Sequence, residues 1–443
     1  VSCHREPQKI ASVVSLPNYP GKGKAMIHWK KWMQKAGFSM ALSLLAIAVC
    51  PPANAQGVPV YKVDPSWPKT LPNNWVLGMV RGIAVDKDDH IWVMHGPGSI
   101  DKDQLGAGDT PPRAECCIPA PPVLEFDAQG NLLKYWGPAL NTLPNPYIRD
   151  LPQNNLLKYW GTTPDTGKQY EWFAKEHSIF PDRAGNLWLS GNDAPVDTNG
   201  DGKLDRQALK FTSDGQFVLQ IGHYAPPKDD HSLDTTLVGG PAGFAIDENA
   251  HELFMADGYY NRRVAVFDAD TGKFKRMWGA YGSVPDDKEL GAYKPGDPPA
   301  QQFRPPVHCI NISNDGLVYV CDRGNDRIQV FTKEGKFVKE FLLDVGASCK
   351  TCGHPPSTIN FSHDSAQTYL FVSDGQNNVI WILRRSNGVV AGKIGRGGQN
   401  PGEFHRVHSL ASDSAGNLYV GELNPGDRLQ KFVLVSGKDR SRN

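Results

Sequence analysis

One four-strand phrase, repeated along most of the chain, limits the possible folds more than any other feature. Each copy has an apolar strand ending near Asp, a glycine turn, and a second strand ending in Asp after Ala, Ser or Cys. A polar loop follows, then a strand ending in Phe and a last strand ending near Trp-Gly. Residues 243–247, 253–257, 263–267 and 274–279 show the phrase clearly, and residues 308–313, 318–322, 327–331 and 337–342 repeat it. Further copies start near Gly82, His177, Ser357 and His408. Alternating apolar and polar positions between turn residues mark half-buried strands. Six such units predict an all-β fold, a six-bladed β-propeller with four strands per blade.

The sixth unit is cut short, its last clear strand being residues 429–435, while residues 58–63 form a spare strand far upstream. That N-terminal strand is expected to complete the last blade and close the ring, so that no sheet edge stays unpaired. A linear solenoid would need capping repeats, and none is visible. The segment Asn131 to Gly137 recurs verbatim at Asn155 to Gly161, which reads as a tandem duplication looped out between blades 1 and 2.

The first residues read differently. Met26 opens a segment with a basic head (Lys30, Lys31, Lys35), an apolar run over 40–49, and Ala53-Asn54-Ala55 before Gln56. This is the pattern of a secretory signal. Residues 26–55 are therefore expected to be a signal peptide, 56–443 the propeller, and 1–25 over-translated upstream sequence. The apolar run is too short to persist as a bilayer span, and Val49 before Cys50 argues against lipidation. The expected location is periplasmic or extracellular, an oxidising compartment.

Cys309 and Cys321 lie equally far from Asp315 in a tight turn. They read either as a cross-hairpin disulfide or as two buried thiols. Cys349, Cys352 and His354 miss the haem-attachment spacing by one residue, which excludes haem there. With 47 basic and 47 acidic side chains the chain carries no net charge, so nothing favours nucleic acid or an anionic membrane as partner.

Registering the six inner strands on their turns places one residue of each blade at the channel end: Arg81, His177, Ala242, His308, Ser357 and His408. Histidine falls on every second blade, and inner strands run along the central axis, so the three imidazoles are expected to converge. A single channel histidine is usually a hydrogen-bonded structural residue. Three at one register position on alternate blades point instead to a metal, and three imidazoles with an open fourth position suit catalytic zinc. A second metal signal is the run Asp197, Asn199, Asp201, Lys203 and Asp205 with Gly202 at the sixth position, which follows a calcium loop. The twelfth position is Ala208 where a bidentate acid is usual, and the place between two strands of blade 2 suggests a structural calcium.

The repeats resemble NHL repeats, and several motifs resemble peptidyl-α-hydroxyglycine α-amidating lyase. The carriers are 176–179 (Glu-His-Ser-Ile), 302–308 (Gln-Phe-Arg-Pro-Pro-Val-His), 403–409 around His408, 256–263 around Tyr259, and 322–331 beginning Asp-Arg. The resemblance runs from about Val80 to Phe432. It implies a six-bladed propeller holding zinc on His177, His308 and His408, with Tyr259 as catalytic tyrosine and Arg323 as a catalytic and substrate-binding arginine. The implied reaction cleaves the C–N bond of an α-hydroxyglycine, giving an amide and glyoxylate from a small-molecule or peptide-terminus substrate.

The chain departs from the family at several points. Gly96 stands near the place of a second substrate arginine, Arg406 replaces an apolar pocket residue, and Ser409 replaces an acidic calcium ligand. The family's disulfide positions are not reproduced. Arg81, in the histidine ring, is a candidate to take over as anion anchor, because guanidinium pairs well with carboxylate. Two other readings remain: a non-catalytic NHL-type binding propeller, and a calcium-dependent lactonase-type hydrolase, whose axial ligands would be acids and amides.

Overall fold

Six four-stranded antiparallel sheets make up a β-propeller. The computed structural model describes residues 57–109, 111–138, 170–192, 202–226, 231–291, 293–294, 298–343 and 355–435. The proposed signal segment, residues 197–201 of the calcium loop, the second copy of the duplicated segment, Cys349 and Cys352 lie outside the described residues. Among the described residues no helix is long and apolar enough to cross a membrane.

The inner strands are Val80–Val85, Glu176–Pro181, Pro241–Asp247, Val307–Ile312, Ile359–Phe361 and Val407–Ser412, for blades 1 to 6. Each packs against the next, and that of blade 6 packs against that of blade 1. In blades 1 to 5 the four strands follow in chain order from the axis outward. Blade 6 takes its outermost strand from the other end of the chain, as the sequence predicts. Val60–Asp64 pairs antiparallel with Leu429–Val435, with Val60 opposite Val435 and Asp64 opposite Lys431. The spare strand thus begins two residues later than the pattern suggests.

A repeated contact joins blade to blade. The Trp-Gly that ends a blade's outer strand sets an aromatic ring on the outer-hairpin turn of the next. Trp278 of blade 3 covers Gly335 of blade 4, where a Cβ would come within 2.7 Å of the indole and where φ is +87°. Only glycine fits both the closeness and the left-handed backbone. Trp67, just after the N-terminal strand, covers Gly130 of blade 1 in the same way. This contact fastens blade 6 to blade 1 at the point of closure.

Cys309 and Cys321 face each other across the blade 4 hairpin and are disulfide-bonded, with Cα atoms 4.8 Å apart. A second pair was not foreseen: Cys116 and Cys117, neighbours in the chain, are bonded to each other.

A candidate metal centre on the axis

In five of the six blades the inner strand is interrupted by a β-bulge near its start. Its pairing with the second strand skips one residue between Val80 and Gly82, Glu176 and Ser178, Pro241 and Gly243, Val307 and Cys309, and Val407 and Ser409. The skipped residues are Arg81, His177, Ala242, His308 and His408, five of the six that sequence registration places at the channel end. A bulge re-aims the side chain it frees from the ladder. Here it turns three imidazoles toward one another.

The three rings lie 4.8 to 5.2 Å apart between centroids. Their ligand atoms all fall within 4.8 Å of one another, and all three residues are buried. Each Nδ1 is held from outside the ring of histidines. That of His308 lies 2.5 Å from the carbonyl oxygen of Ser357, and that of His408 lies 3.0 Å from the carbonyl oxygen of Arg81. Nδ1 of His177 lies 2.9 Å from Oγ of Ser178, whose hydroxyl proton is donated to the carbonyl of Ala242. All three outer partners can only accept, so each Nδ1 carries the hydrogen and each Nε2 presents a lone pair inward. Such outer contacts fix tautomer and orientation in metal-binding histidines.

Nε2 of His308 and Nε2 of His408 stand 3.1 Å apart. Two lone pairs at that distance repel unless a positive charge lies between them. A proton is a poor candidate. Burial, with the nearby Arg323 and Arg81 charges, holds His408 down at about 3, and burial first, then neighbouring positive charge, holds His177 and His308 well below the usual imidazole range. A cation with a preference for nitrogen donors fits this donor set.

Tyr259 enters from the loop after the second strand of blade 3. Its hydroxyl is 3.0 Å from Nε2 of both His177 and His308. Arg323 and Asn192 also hydrogen-bond this hydroxyl. Burial pushes the phenol pKa up, while the guanidinium charges of Arg323 and Arg81 oppose that push. Arg323 comes from the corresponding loop of blade 4, so neighbouring blades supply the phenol and the cation that faces it.

The guanidinium of Arg81 donates to the carbonyl of Glu176, next to His177, and lies near Tyr259. Arg406 is exposed, with Nη1 3.3 Å from the carbonyl of Asn424, and its charge reaches both Arg323 and His408. Of the calcium-loop residues, Asp197, Asn199 and Asp201 lie outside the described residues and Lys203 is exposed. Asp205 is buried, and its two carboxylate oxygens accept the backbone N–H groups of Ala174 and Lys175 at 2.9 and 3.1 Å. It thereby pins the segment that leads into His177. Below the histidines runs an axial cavity of about 200 Å³, lined among others by Ser178, Asn311, Thr358, Asn360 and Ser412.

Sequence reasoning located the three histidines, Tyr259, Arg323 and Arg81. It did not find Ser178 as the residue that sets the His177 tautomer, nor Asn192 beside the phenol. A serine directly after a ring histidine was the available signal for the first.

The fold and site define a six-bladed β-propeller with three histidines from alternate blades meeting on its axis. Among known proteins the chain is similar to peptidyl-glycine alpha-amidating monooxygenase B of Xenopus laevis, 27% identical over 272 residues, covering 61% of this chain and 27% of that protein. It is 21% identical over 368 residues to the probable peptidyl-alpha-hydroxyglycine alpha-amidating lyase of Caenorhabditis elegans, covering 81% of this chain and 83% of that one. It is also 27% identical over 249 residues to human NHL repeat-containing protein 3, covering 54% and 61%. The chain thus spans about a quarter of the length of the frog protein. No family model matches. Among solved structures, virginiamycin B lyase from Staphylococcus aureus with quinupristin aligns at TM-score 0.43 and 15% identity, covering 84% of this chain and 89% of that one.

Proposed function

We propose that the protein is an exported, zinc-dependent lyase that splits an α-hydroxyglycine-type substrate into an amide and glyoxylate. The observation that carries this reading is the phenol of Tyr259 set 3.0 Å from two inward-facing imidazole nitrogens and hydrogen-bonded by Arg323. His177, His308 and His408 would hold the zinc ion, which when bound polarises a substrate oxygen as a Lewis acid. The similarity to amidating lyases supports the reaction class, and the signal-like segment before Gln56 supports export.

In this reading the chain's own groups divide the remaining work. Tyr259, as phenolate, takes the proton of the substrate's carbinol hydroxyl. The O–H electron pair becomes the new C=O bond, the C–N bond breaks, and its electrons leave on the amide nitrogen. That nitrogen takes back a proton, so Tyr259 ends as it began. Arg323 stabilises the phenolate before the transfer, and a positioned acid–base group of this kind contributes roughly 10²–10⁴-fold. Arg81, with Arg323 and Arg406, supplies positive charge for the substrate carboxylate.

The direct test is incubation of zinc-loaded protein with α-hydroxyhippurate and measurement of glyoxylate. Production of glyoxylate and benzamide in equal amounts, abolished by chelator and restored by zinc, supports the reading. Failure of the metal-loaded protein to release either product rejects it.

A further inference from the structure

The second candidate metal cluster lies at the opposite end of blade 1 from the histidines. It consists of Asp86 and His90, in the turn between the first two strands, and Glu125 on the third strand. Asp86 follows Arg81 by five residues of strand, so the two sites are roughly 17 Å apart along the axis. The repeats show what is unusual there.

Blades 2 and 6 carry the same turn with different side chains. In blade 2, Asn186 donates to Asp182, and Lys210, paired with Trp188 across the sheet, reaches the same carboxylate at 3.3 Å. In blade 6, Asn417 donates to Asp413, and Lys431 stands opposite Tyr419. Blade 1 keeps the aspartate: Asp86 accepts the N–H of His90 at 3.0 Å and the indole N–H of Trp92 at 2.9 Å. It replaces the asparagine by His90, and the lysine opposite the aromatic residue by Glu125. An acid thus stands where blade 2 places the lysine that pairs with its aspartate, and where blade 6 also carries a lysine, whose Nζ donates to the carbonyl of Ala128.

Among the described residues this reversal is offset only in part, by His90, whose Nδ1 is within hydrogen-bond reach of Glu125 Oε1 at 2.8 Å. Glu125 is 3% exposed, and its Oε2 has no hydrogen-bond partner among the described residues. Lys134 Nζ is 3.8 Å from that oxygen, beyond hydrogen-bond reach, and sits closer to Asp214 at 2.8 Å. Burying a carboxylate this way is costly unless it is paired or bound to a metal. His90 Nδ1 lies 2.8 Å from Glu125 Oε1 and 3.9 Å from Asp86 Oδ2. Ligands about 2.1 Å from a tetrahedral ion are roughly 3.4 Å apart, so these two separations bracket the spacing required. His90 is partly exposed, which gives an ion access from solvent.

We infer that Asp86, His90 and Glu125 form a second divalent-cation site on the face of the propeller opposite the axial histidines. One imidazole and two carboxylates suit zinc, manganese or cobalt. The site is structural: it joins the inner hairpin of blade 1 to its third strand and takes no part in the proposed reaction.

The test uses chelator-stripped mature protein titrated with zinc and analysed for bound metal after gel filtration. The double variant H90N/E125K restores the side chains of blades 2 and 6, so its folding is supported by its own sister repeats. A second variant, H308A/H408A, removes the axial donors. The inference expects two ions on the parent protein and one on each variant, with glyoxylate release, if present, kept in H90N/E125K. Unchanged zinc content in H90N/E125K overturns the inference whatever the axial site does. Loss confined to H308A/H408A leaves the axial reading standing and removes this one.

Discussion

Arg81 fills the space that a side chain at position 96 would need: a Cβ on Gly96 would lie 2.5 Å from Nη1 of Arg81. The glycine found where the resembling family implies an arginine therefore makes room for a guanidinium from the neighbouring strand. Substitution G96A should displace Arg81 and reproduce the effect of R81A. Both should raise KM for a carboxylate substrate about 10- to 100-fold with a smaller change in kcat, as expected for loss of one charged hydrogen-bonded pair. Steady-state kinetics of the two variants check this. Unchanged KM in R81A removes Arg81 from substrate binding.

Tyr259 makes a sharper prediction. Y259F keeps the ring and removes only the hydroxyl, so zinc content should stay at the parent level while kcat falls about 10²–10⁴-fold. A variant with normal metal and normal turnover would leave the phenol without a chemical role.

Ser178 sets the tautomer of His177 through a 2.9 Å contact and itself donates to Ala242. Replacing it by alanine leaves Nδ1 without its acceptor. Zinc affinity measured by competition with a chromophoric chelator should weaken about 10- to 100-fold, the usual range for outer partners of metal ligands.

His95 gives a pH dependence independent of the metal. It is fully buried, accepts the N–H of Gly78 on Nδ1 and donates from Nε2 to the carbonyl of Pro121. Burial lowers its pKa to about 4 from 6.5. The unfolded chain therefore binds a proton first as pH falls, and the fold loses stability from pH 6.5 down through 4, by roughly 3 kcal/mol from this residue. Thermal midpoints of metal-free protein across that window should drop more steeply for the parent than for H95Q. Parallel curves would show that His95 is not held neutral.

Much of the architecture was legible because each blade repeats the same apolar alternation and turn residues. Val60–Asp64 could be assigned to blade 6 only by counting strands, since Leu429–Val435 lies at the other end of the chain. Registration of the turns likewise brought His177, His308 and His408 to one level. The bulges that turn them inward leave no mark in an alternating pattern, because a bulge is an extra residue in the pairing and not in the composition. The pairing of Cys116 with Cys117 escaped notice because adjacent cysteines carry no hairpin signal. Glu125 was missed for a related reason: it meets His90 only through the register that sets it opposite Trp92.

The central claim is that three imidazoles from alternate blades share one cation. X-ray absorption of zinc-loaded protein in the H90N/E125K background reads that site alone. The account predicts a zinc edge whose first shell fits three nitrogen donors of imidazole type, with the imidazole scattering lost in H308A/H408A. Zinc bound equally well, with the same spectrum, after removal of His308 and His408 would contradict it.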